Sequence, residues 1–226
     1  HWSLRRANAV SHSAPVATQA CHAAGIALAM KMQKKDQVVL TTIGEGSTSQ
    51  GEWYEAVNWA AVHQLPVIFL VENNQYAISV PQEKQMAVRS SADKACGLGL
   101  EGLTVDGTDP YKVYEVVARA AEKARSGNGP TVIEARMYRI TPHSSDDDDR
   151  TYRSREEVEE HKQRDPILVV RSRMEQEGLL TPEQVEGMEA RAKEMVDDAV
   201  QFATQAPYPN VEEGTYPVYA EEVRHD

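Results

Sequence analysis

Two short motifs, one βαβ crossover apart in sequence, combine the residue types that hold a metal ion against a phosphate. They are Gly44-Glu45-Gly46 and the pair Asn73-Asn74. Glycines let the backbone approach a phosphate closely, but the acid between them would repel a diphosphate unless a hard cation lies between the two. Asparagine adds a neutral oxygen of the kind that Mg²⁺ accepts. Each motif alone is also typical of an ordinary turn, so the prediction depends on the two motifs meeting.

The predicted elements around the motifs bring them together. A β-branched strand over residues 38–43 ends at the glycine motif, and a second apolar strand over residues 66–71 ends just before the asparagine pair. Between them, residues 50–63 have helical spacing. A strand–helix–strand unit of this kind forms parallel strands whose carboxyl ends lie at one edge of the sheet. We therefore expect Glu45 and Asn74 to meet over one ion.

The remaining elements continue the same alternation. We predict an Ala-rich helix from Pro15 to about Met32, a strand at 103–105, a helix from Pro110 to about 126 with Asp109 as its cap, and a strand at 131–138. Short strands alternating with helices predict an α/β fold with a mostly parallel sheet and helices on both faces.

The chain changes character after residue 140, where a polar loop is followed by charged helical sequence. The last helix has a clear start, with Thr181 as cap, Pro182 at the first position and Gln184 closing a capping box. Its apolar stripe from Val185 to Phe202 indicates a core or interface face. We predict an α/β domain over residues 1–153, a helical extension over 154–206 and an irregular tail over 207–226.

Composition excludes several partners. The 226 residues include 24 Lys+Arg and 35 Asp+Glu, which gives a net charge of -11. Proteins that bind nucleic acids usually carry a positively charged surface instead. The longest apolar run, Val67 to Val71, is far shorter than the roughly 20 residues of a membrane span. We therefore expect neither nucleic acid nor membrane as a partner. The two cysteines, Cys21 and Cys96, signal neither a disulfide framework nor a zinc site.

In these two motifs the sequence resembles a known family, the thiamine diphosphate enzymes, which share a Gly-acid-Gly motif and a later Asn pair. More closely, it is similar to the alpha subunits of the decarboxylating first component of 2-oxoacid dehydrogenase complexes. The resemblance covers about residues 1–220 and is carried by GEGSTSQGEWYEAVNWAA, ENNQYAISVP, VDGTDPYKVYE and PTVIEARMYRITPHSSDDDDRTYR. It implies the thiamine diphosphate-binding fold. Because the chain begins at His1 and the family extends further at the amino end, we expect part of the cofactor site to be missing.

The resemblance implies roles for individual residues around the cofactor. The expected magnesium ligands are the side chains of two residues and the carbonyl of a third: Glu45, Asn74 and Tyr76. The expected contacts of thiamine diphosphate are a diphosphate cradle, the apolar residue that bends the cofactor, and a neighbour of the active-site loop: Gly44, Gly46, Ser47, Ile78 and Arg139. His143 corresponds to the catalytic histidine of that mobile loop, where it also contacts the cofactor.

Two further roles follow from the resemblance alone. A potassium-binding turn of branched-chain members matches four residues near the start of the chain: Ser13, Pro15, Thr18 and Gln19. Ser144 matches a serine that is phosphorylated in mitochondrial members, although an ordinary loop hydroxyl is an equal interpretation.

The implied function is oxidative decarboxylation of 2-oxoacids, with branched-chain substrates favoured and pyruvate or acetoin enzymes as the alternative. The acyl group passes to a lipoyl acyltransferase, and a beta subunit completes an α2β2 heterotetramer and supplies the carboxylate that activates the cofactor. The expected location is the cytoplasm in a bacterium or the mitochondrial matrix in a eukaryote. Two other classes stay open: a Rossmann-type nucleotide oxidoreductase, whose third glycine is replaced by Ser49, and a non-catalytic partner-binding subunit.

Overall fold

The computed structural model describes residues 3–11 and 13–211. The chain forms two compact units, the first ending at Ser172 and the second beginning at Arg173. The predicted division at residue 153 stays a prediction, and most of the predicted 207–226 tail lies outside the described residues.

A four-stranded parallel sheet forms the centre of the first unit. Its strands are β1 (Val39–Gly44), β2 (Val67–Asn73), β5 (Gly102–Asp106) and β6 (Thr131–Arg136), in the order β1-β2-β6-β5. The short strands β3 (Tyr76–Ala77) and β4 (Val80–Pro81) pair as a separate antiparallel hairpin. The α/β class and the parallel sheet are confirmed, although the last strand ends at Arg136 rather than at the predicted Tyr138.

The register places both motifs at one edge of the sheet. Strands β1 and β2 pair from Val39↔Val67 to Gly44↔Glu72, so β1 ends level with the end of β2. Glu45 therefore follows one strand at the point where Asn74 follows its neighbour, as the spacing predicts.

The predicted helices appear in the predicted order, together with two short helices over residues 82–85 and 93–96 that were not predicted. They are α1 (Thr18–Met32), α2 (Gly51–Val62), α3 (Gln82–Gln85), α4 (Asp93–Cys96), α5 (Pro110–Arg125), α6 (Arg155–Lys162), α7 (Pro166–Gln176) and α8 (Pro182–Gln205), with single 3-10 turns at Arg5–Ala7, Glu45–Ser49 and Asp149–Thr151. The first helix begins at Thr18 rather than at Pro15 because Ala17 adopts a left-handed conformation with φ 69°. Asp109 caps α5 by accepting from the amides of Tyr111 and Lys112, as predicted.

One face of the sheet packs against α1 and α2. Small side chains, including Ala20 and Ala24 of α1 and Ala60 of α2, are buried and let the two helices approach closely. Trp53 and Phe69 are fully buried in the same cluster, which therefore holds α2 directly behind the strand ends that carry the motifs.

The opposite face packs against α5. Ile68, Ile133 and Ala135 of the sheet contact Ala120 and the partly buried valines of α5. Helices on both faces are confirmed. This arrangement holds β2 and β6 between two hydrophobic layers, so the strand ends start from fixed positions.

In the second unit, α8 begins with the predicted capping box: Thr181 Oγ1 accepts from the amide of Gln184, and the Gln184 side chain accepts from the amide of Thr181. Val185 is buried, but Met188, Met195 and Phe202 are exposed. The core interpretation of the stripe is therefore wrong, and an interface stays a prediction. No helix in residues 3–11 and 13–211 has the length and apolar character needed to cross a membrane.

Candidate functional site

Glu45 is a buried carboxylate at the first residue after β1. Its side chain is 1% exposed, and its Oε2 accepts a hydrogen bond from the backbone amide of Asn74 at 3.2 Å. The other oxygen, Oε1, is buried and has no hydrogen-bond partner within the part of the chain that the structure describes. Burial raises the pKa of Glu45 above its ordinary value, and the Asn74 amide and the charge of Arg139 oppose that shift only in part. A carboxylate in this state suits a cation.

The chain after β2 forms two successive turns that present Asn74. The amide of Gln75 donates to Asn73 Oδ1 at 3.0 Å, and the amide of Tyr76 donates to Asn74 Oδ1 at 3.1 Å. Gln75 has φ 72°, so the backbone reverses sharply here. A carbonyl oxygen has two lone pairs, and Asn74 Oδ1 therefore keeps one for a metal ion.

Arg139 lies against the predicted third ligand. Its guanidinium donates to the carbonyl of Tyr76 at 3.2 Å and to the carbonyl of Ile78 at 2.7 Å. The Tyr76 carbonyl thus keeps one lone pair. The arrangement places a fixed positive charge beside the strand ends, where a diphosphate would also be attracted.

Ile78 occupies the turn of the β3–β4 hairpin and is 57% exposed. Its φ of 57° is a rare left-handed conformation for a β-branched residue. Backbone strain of this kind persists where surrounding contacts enforce it, and the bond from Arg139 to the Ile78 carbonyl is one such contact. The structure therefore projects an apolar side chain outward beside the predicted metal ligands.

The two motif glycines differ in their surroundings. A Cβ on Gly46 would lie 2.6 Å from the Cβ of Ala77, so this position needs glycine to pack against the hairpin. A Cβ on Gly44 would meet nothing within 4 Å. Gly44 and the half-buried Ser47 therefore border open space next to Glu45, which fits the predicted cradle.

His143 connects to this site through a chain of hydrogen bonds. Its backbone amide donates to Asp147 Oδ2 at 2.8 Å, the Tyr152 hydroxyl donates to the same oxygen, and Arg139 donates to the Tyr152 hydroxyl at 2.8 Å. His143 itself is exposed. The structure thus joins the histidine loop to the hairpin at Ile78, while the imidazole stays separate from Glu45 and Asn74 in the hydrogen bonds of the described residues.

A cluster of aromatic rings supports the base of that loop. The hydroxyls of Tyr76 and Tyr138 both donate to Glu157 Oε1 at 2.8 Å, and the guanidinium of Arg153 lies over both rings. Burial and the Glu157 carboxylate raise the pKa of Tyr138 to about 12. Arg153 also pairs with Asp149 at 2.6 Å. The sequence analysis did not predict this aromatic cluster.

The predicted potassium turn contains one suitable orphan group. Gln19 donates through Nε2 to the carbonyl of Thr42 at 3.4 Å, and its Oε1 is buried without a partner among the described residues. Ser13 and Thr18 are half-buried, whereas Pro15 is exposed. An unpartnered amide oxygen is a ligand of the type that a potassium ion accepts.

Two buried residues beside the site have no predicted role of their own, although one of them belongs to the predicted asparagine pair. Glu134 of β6 is fully buried, and Asn73, the first of the asparagine pair, donates to it at 2.7 Å. The acid in the middle of the apolar run Val132-Ile133-Glu134-Ala135 was the available signal, because an ionised group in a buried strand needs partners.

The chemistry of the donor set fits magnesium. No three His, Cys, Asp or Glu residues cluster within residues 3–11 and 13–211, so a cation would need amide and carbonyl oxygens as well as one carboxylate. The orphaned Glu45 Oε1, Asn74 Oδ1 and the Tyr76 carbonyl provide this set, and all three are the hard oxygen ligands that Mg²⁺ prefers.

A separate cavity of about 510 Å³ opens at the ends of β5 and β6. Its lining includes Gln75, Asp106, Arg136, Tyr138 and Arg164, but neither Glu45 nor Asn74. The candidate site therefore rests on the geometry of the strand ends and not on this cavity.

Comparisons with known proteins show the family to which the chain belongs. A family described as "Dehydrogenase E1 component" matches residues 1–212. The chain is 50% identical over 220 residues to the alpha subunit of 2-oxoisovalerate dehydrogenase from Bacillus subtilis (strain 168), a match covering 97% of this chain and 67% of that protein.

Two other relatives extend the comparison. The alpha subunit of 3-methyl-2-oxobutanoate dehydrogenase from Mycobacterium tuberculosis (strain CDC 1551 / Oshkosh) is 43% identical over 92% of this chain and 57% of its own length. The alpha subunit of the pyruvate dehydrogenase E1 component from Bacillus cereus is 42% identical over 88% of this chain and 54% of its own length. The chain thus spans about two thirds of the first relative and little more than half of the other two.

Proposed function

We propose, from the premise that this chain belongs to the dehydrogenase E1 component family, that it is the alpha subunit of a thiamine diphosphate-dependent branched-chain 2-oxoacid dehydrogenase. That family depends on thiamine diphosphate in general, and its alpha subunits work with a beta subunit. The proposal rests on one observation above the others. Glu45 is buried, one of its oxygens has no hydrogen-bond partner in the described part of the chain, and the Asn74 amide ties it to the next strand end.

In the proposed site, magnesium is held by Glu45, Asn74 and the Tyr76 carbonyl. Gly44, Gly46 and Ser47 line the diphosphate, and Arg139 adds positive charge at the same edge. The exposed apolar side chain of Ile78 would pack against the cofactor. The turn containing Gln19 is the proposed potassium site, together with Ser13, Pro15 and Thr18.

When bound, thiamine diphosphate supplies the electron sink that allows a 2-oxoacid to lose carbon dioxide. This chain's residues orient and protect that chemistry. The proposed role of the exposed His143 imidazole is to move a proton as the acyl group is transferred to a lipoyl group. The loop that carries His143 is tied to Arg139 through Tyr152 and Asp147, and its proposed role is to limit the access of water to the bound cofactor.

The substrate and partners follow from the relatives. A branched-chain 2-oxoacid is favoured because the 2-oxoisovalerate relative is 50% identical and the pyruvate relative 42%. We place the chain in an α2β2 heterotetramer that passes acyl groups to a lipoyl acyltransferase. The relatives named here are bacterial, which favours the cytoplasm of a bacterium.

The test uses the complete protein co-expressed with its beta subunit. We expect a thermal shift only when thiamine diphosphate and magnesium are both present, and a higher kcat/KM for 3-methyl-2-oxobutanoate than for pyruvate. A higher kcat/KM for pyruvate would show that the enzyme is a pyruvate dehydrogenase rather than a branched-chain one. Saturable NAD binding without a response to thiamine diphosphate would point to an oxidoreductase of the Rossmann type. A folded protein indifferent to both would point to a non-catalytic subunit.

A further inference from the structure

Glu134 is an ionised carboxylate inside the sheet, and the proposed mechanism does not use it. It is 0% exposed, between β2 and β5, yet six hydrogen bonds reach its two oxygens. A buried charge is costly unless it is paired and hydrogen-bonded, so a glutamate at this position needs an organised set of partners.

The donors come from three parts of the chain besides the strand itself. Oε1 accepts from Asn73 Nδ2 at 2.7 Å and from the amide and hydroxyl of Ser91. Oε2 accepts from the Ser90 hydroxyl, from Arg136 Nε at 3.0 Å and from the Thr104 hydroxyl at 3.3 Å. Five of these bonds hold the 90–91 loop, β5 and a side chain of β6 itself. The sixth, from Asn73, reaches the strand end that carries the proposed metal ligand.

The bond from Asn73 fixes which way its amide points. Nδ2 donates to Glu134 Oε1 and to Gln82 Oε1, at 2.7 and 2.8 Å. Oδ1 is therefore directed to the other side, where it accepts from the amide of Gln75 at 3.0 Å. Because the two ends of an amide differ, rotating Asn73 by half a turn would break this turn.

The turn at Asn73 also sets the position of Asn74. It leads the chain into the left-handed residue Gln75, after which the Tyr76 amide returns to Asn74 Oδ1 and the Asn74 amide faces Glu45 Oε2. A loosened turn at Asn73 would displace two of the three proposed metal-ligand groups together, the Asn74 amide oxygen and the Tyr76 carbonyl.

We infer that Glu134 is a positioning residue, which orients the Asn73 amide and thereby the turn that presents Asn74 and Tyr76 to a magnesium ion. The metal part of this inference rests on the proposed function. The turn itself is independent of it. A purely structural alternative has Glu134 holding only the 90–91 loop, with the Asn73 bond incidental.

A set of four variants separates the two roles. Asn73→Asp places a carboxylate oxygen against Glu134, so the turn should open. Glu134→Gln alone should have little effect on the turn, because its amide oxygen can still accept from Asn73. Its nitrogen then faces the Ser90 and Thr104 hydroxyls, which can accept, and Arg136 Nε, which cannot accept but belongs to a half-exposed side chain that can turn to solvent. Combined with Asn73→Asp, the glutamine can rotate and donate to the new aspartate. Its oxygen then accepts from the Ser90 hydroxyl and Arg136, and the Ser91 amide loses its acceptor. Thr104→Val is the matched control, because it removes the 3.3 Å donor to Glu134 and the 2.9 Å bond between the Thr104 and Ser90 hydroxyls but leaves the bond from Asn73 in place.

Two measurements are made on the complete protein with its partner subunit, after circular dichroism confirms folding. One is amide hydrogen exchange of the peptide over residues 74–77, without cofactor, compared with a β1 peptide. The other is magnesium-dependent affinity for thiamine diphosphate. We expect Asn73→Asp to speed exchange and to weaken affinity by roughly ten- to a hundredfold, the usual effect of losing a hydrogen bond to a charged group. The affinity of the double variant should recover to within about threefold of wild type. On a logarithmic scale, this remaining loss is less than half of the roughly tenfold loss that is the smallest expected for Asn73→Asp alone.

The outcomes are distinct. Unchanged exchange and affinity in a folded Asn73→Asp variant, or no recovery in the double variant, would overturn the positioning role while the proposed function stands. If Glu134→Gln fails to fold, Asn73→Asp still decides the question, because it keeps Glu134 and its other five donors. A wild type that responds to neither magnesium nor thiamine diphosphate would overturn the proposed function, and the metal part of this inference with it.

Discussion

The backbone amide of Asn74 donates to Glu45 Oε2 at 3.2 Å, and this bond joins two strand ends whose residues lie 29 positions apart. Because β1 and β2 are parallel and in register to Gly44↔Glu72, the sheet itself brings the two residues together. The acid therefore keeps its second oxygen, Oε1, unpartnered among the described residues and available to a cation.

Removing either side chain should abolish the proposed metal site without unfolding the chain. We expect Glu45→Gln and Asn74→Ala each to weaken magnesium-dependent binding of thiamine diphosphate by more than about 100-fold, beyond the loss typical of residues that only orient a ligand. Calorimetric titration of the complete protein measures this. Glu115→Gln, on the exposed face of α5, is the control. Wild-type affinity in both site variants would reject the assignment.

The side chain of His143 should matter for group transfer more than for binding. His143→Ala keeps the amide that donates to Asp147, so the loop should keep its shape. A positioned imidazole that moves a proton is typically worth about 100- to 10,000-fold in rate. We expect a loss of this size in acyl transfer to lipoyl groups, with cofactor affinity within about threefold of wild type. The exposed Ser145→Ala serves as control, and full transfer activity in His143→Ala would exclude the residue from the site.

The strand-end site could be predicted from sequence because its two halves are local motifs. Gly44-Glu45-Gly46 and Asn73-Asn74 each follow an apolar strand, and parallel pairing needs no further information to align them. The partners of Glu134 could not be predicted in the same way. They come from positions 73, 90, 91 and 104, which share no periodicity, and only the folded sheet brings them within reach of one carboxylate.

One helix and one strand have ends that differ from the predicted ones, and each difference has a local cause. Sequence periodicity extends the first helix back to Pro15, but the left-handed Ala17 stops it at Thr18. Strand β6 ends at Arg136 because its partner β2 ends opposite it, at Asn73. Beyond this pair the amide of Met137 donates to the carbonyl of Asn73, and that of Arg139 to the carbonyl of Asn74, which already lies outside β2. The predicted strand continues to Tyr138 because the apolar pattern of one strand does not show where its partner strand ends.

The loop over residues 143–155 should open more readily when Tyr152 loses its hydroxyl. That hydroxyl donates to Asp147 and accepts from Arg139, so Tyr152→Phe removes both bonds and keeps the ring. Loss of hydrogen bonds to charged groups should raise the rate of tryptic cleavage in the loop roughly tenfold. Saturating thiamine diphosphate and magnesium should slow cleavage in the wild type. Tyr114→Phe, at an exposed position, should cleave like the wild type, and equal rates in all three proteins would contradict the expectation.

Glu134 should make stability depend on pH. Burial alone raises the pKa of this carboxyl, but hydrogen bonds from Ser90, Ser91 and Asn73 outweigh that effect and hold its pKa below the ordinary value of 4.5. A depressed pKa in the folded state contributes stability above the ordinary value and loses it as pH falls through the folded value. Glu134→Gln should therefore be less stable than wild type at pH 7 by about 1–2 kcal/mol, the worth of charge-assisted bonds. Urea unfolding should show this difference shrinking below pH 4.5, and a constant difference would contradict the assignment.

The two motif glycines should respond to alanine in opposite ways. At Gly46 a Cβ would lie 2.6 Å from Ala77 Cβ, inside the closest approach that carbon atoms tolerate, so Gly46→Ala must displace the β3–β4 hairpin. Overpacking of this kind costs about 1–3 kcal/mol of unfolding free energy.

Gly44 has φ -72° and ψ 159°, which alanine adopts without strain, and nothing lies within 4 Å of the position that a Cβ would take there. Gly44→Ala should therefore leave the stability of the ligand-free chain within about 0.5 kcal/mol. If the open space beside Gly44 receives a diphosphate, the added methyl group should nevertheless weaken thiamine diphosphate binding. Chemical denaturation and calorimetric titration of both variants measure the two effects separately. A stable Gly46→Ala variant would contradict the packing argument, and wild-type affinity in Gly44→Ala would show that the diphosphate does not occupy this space.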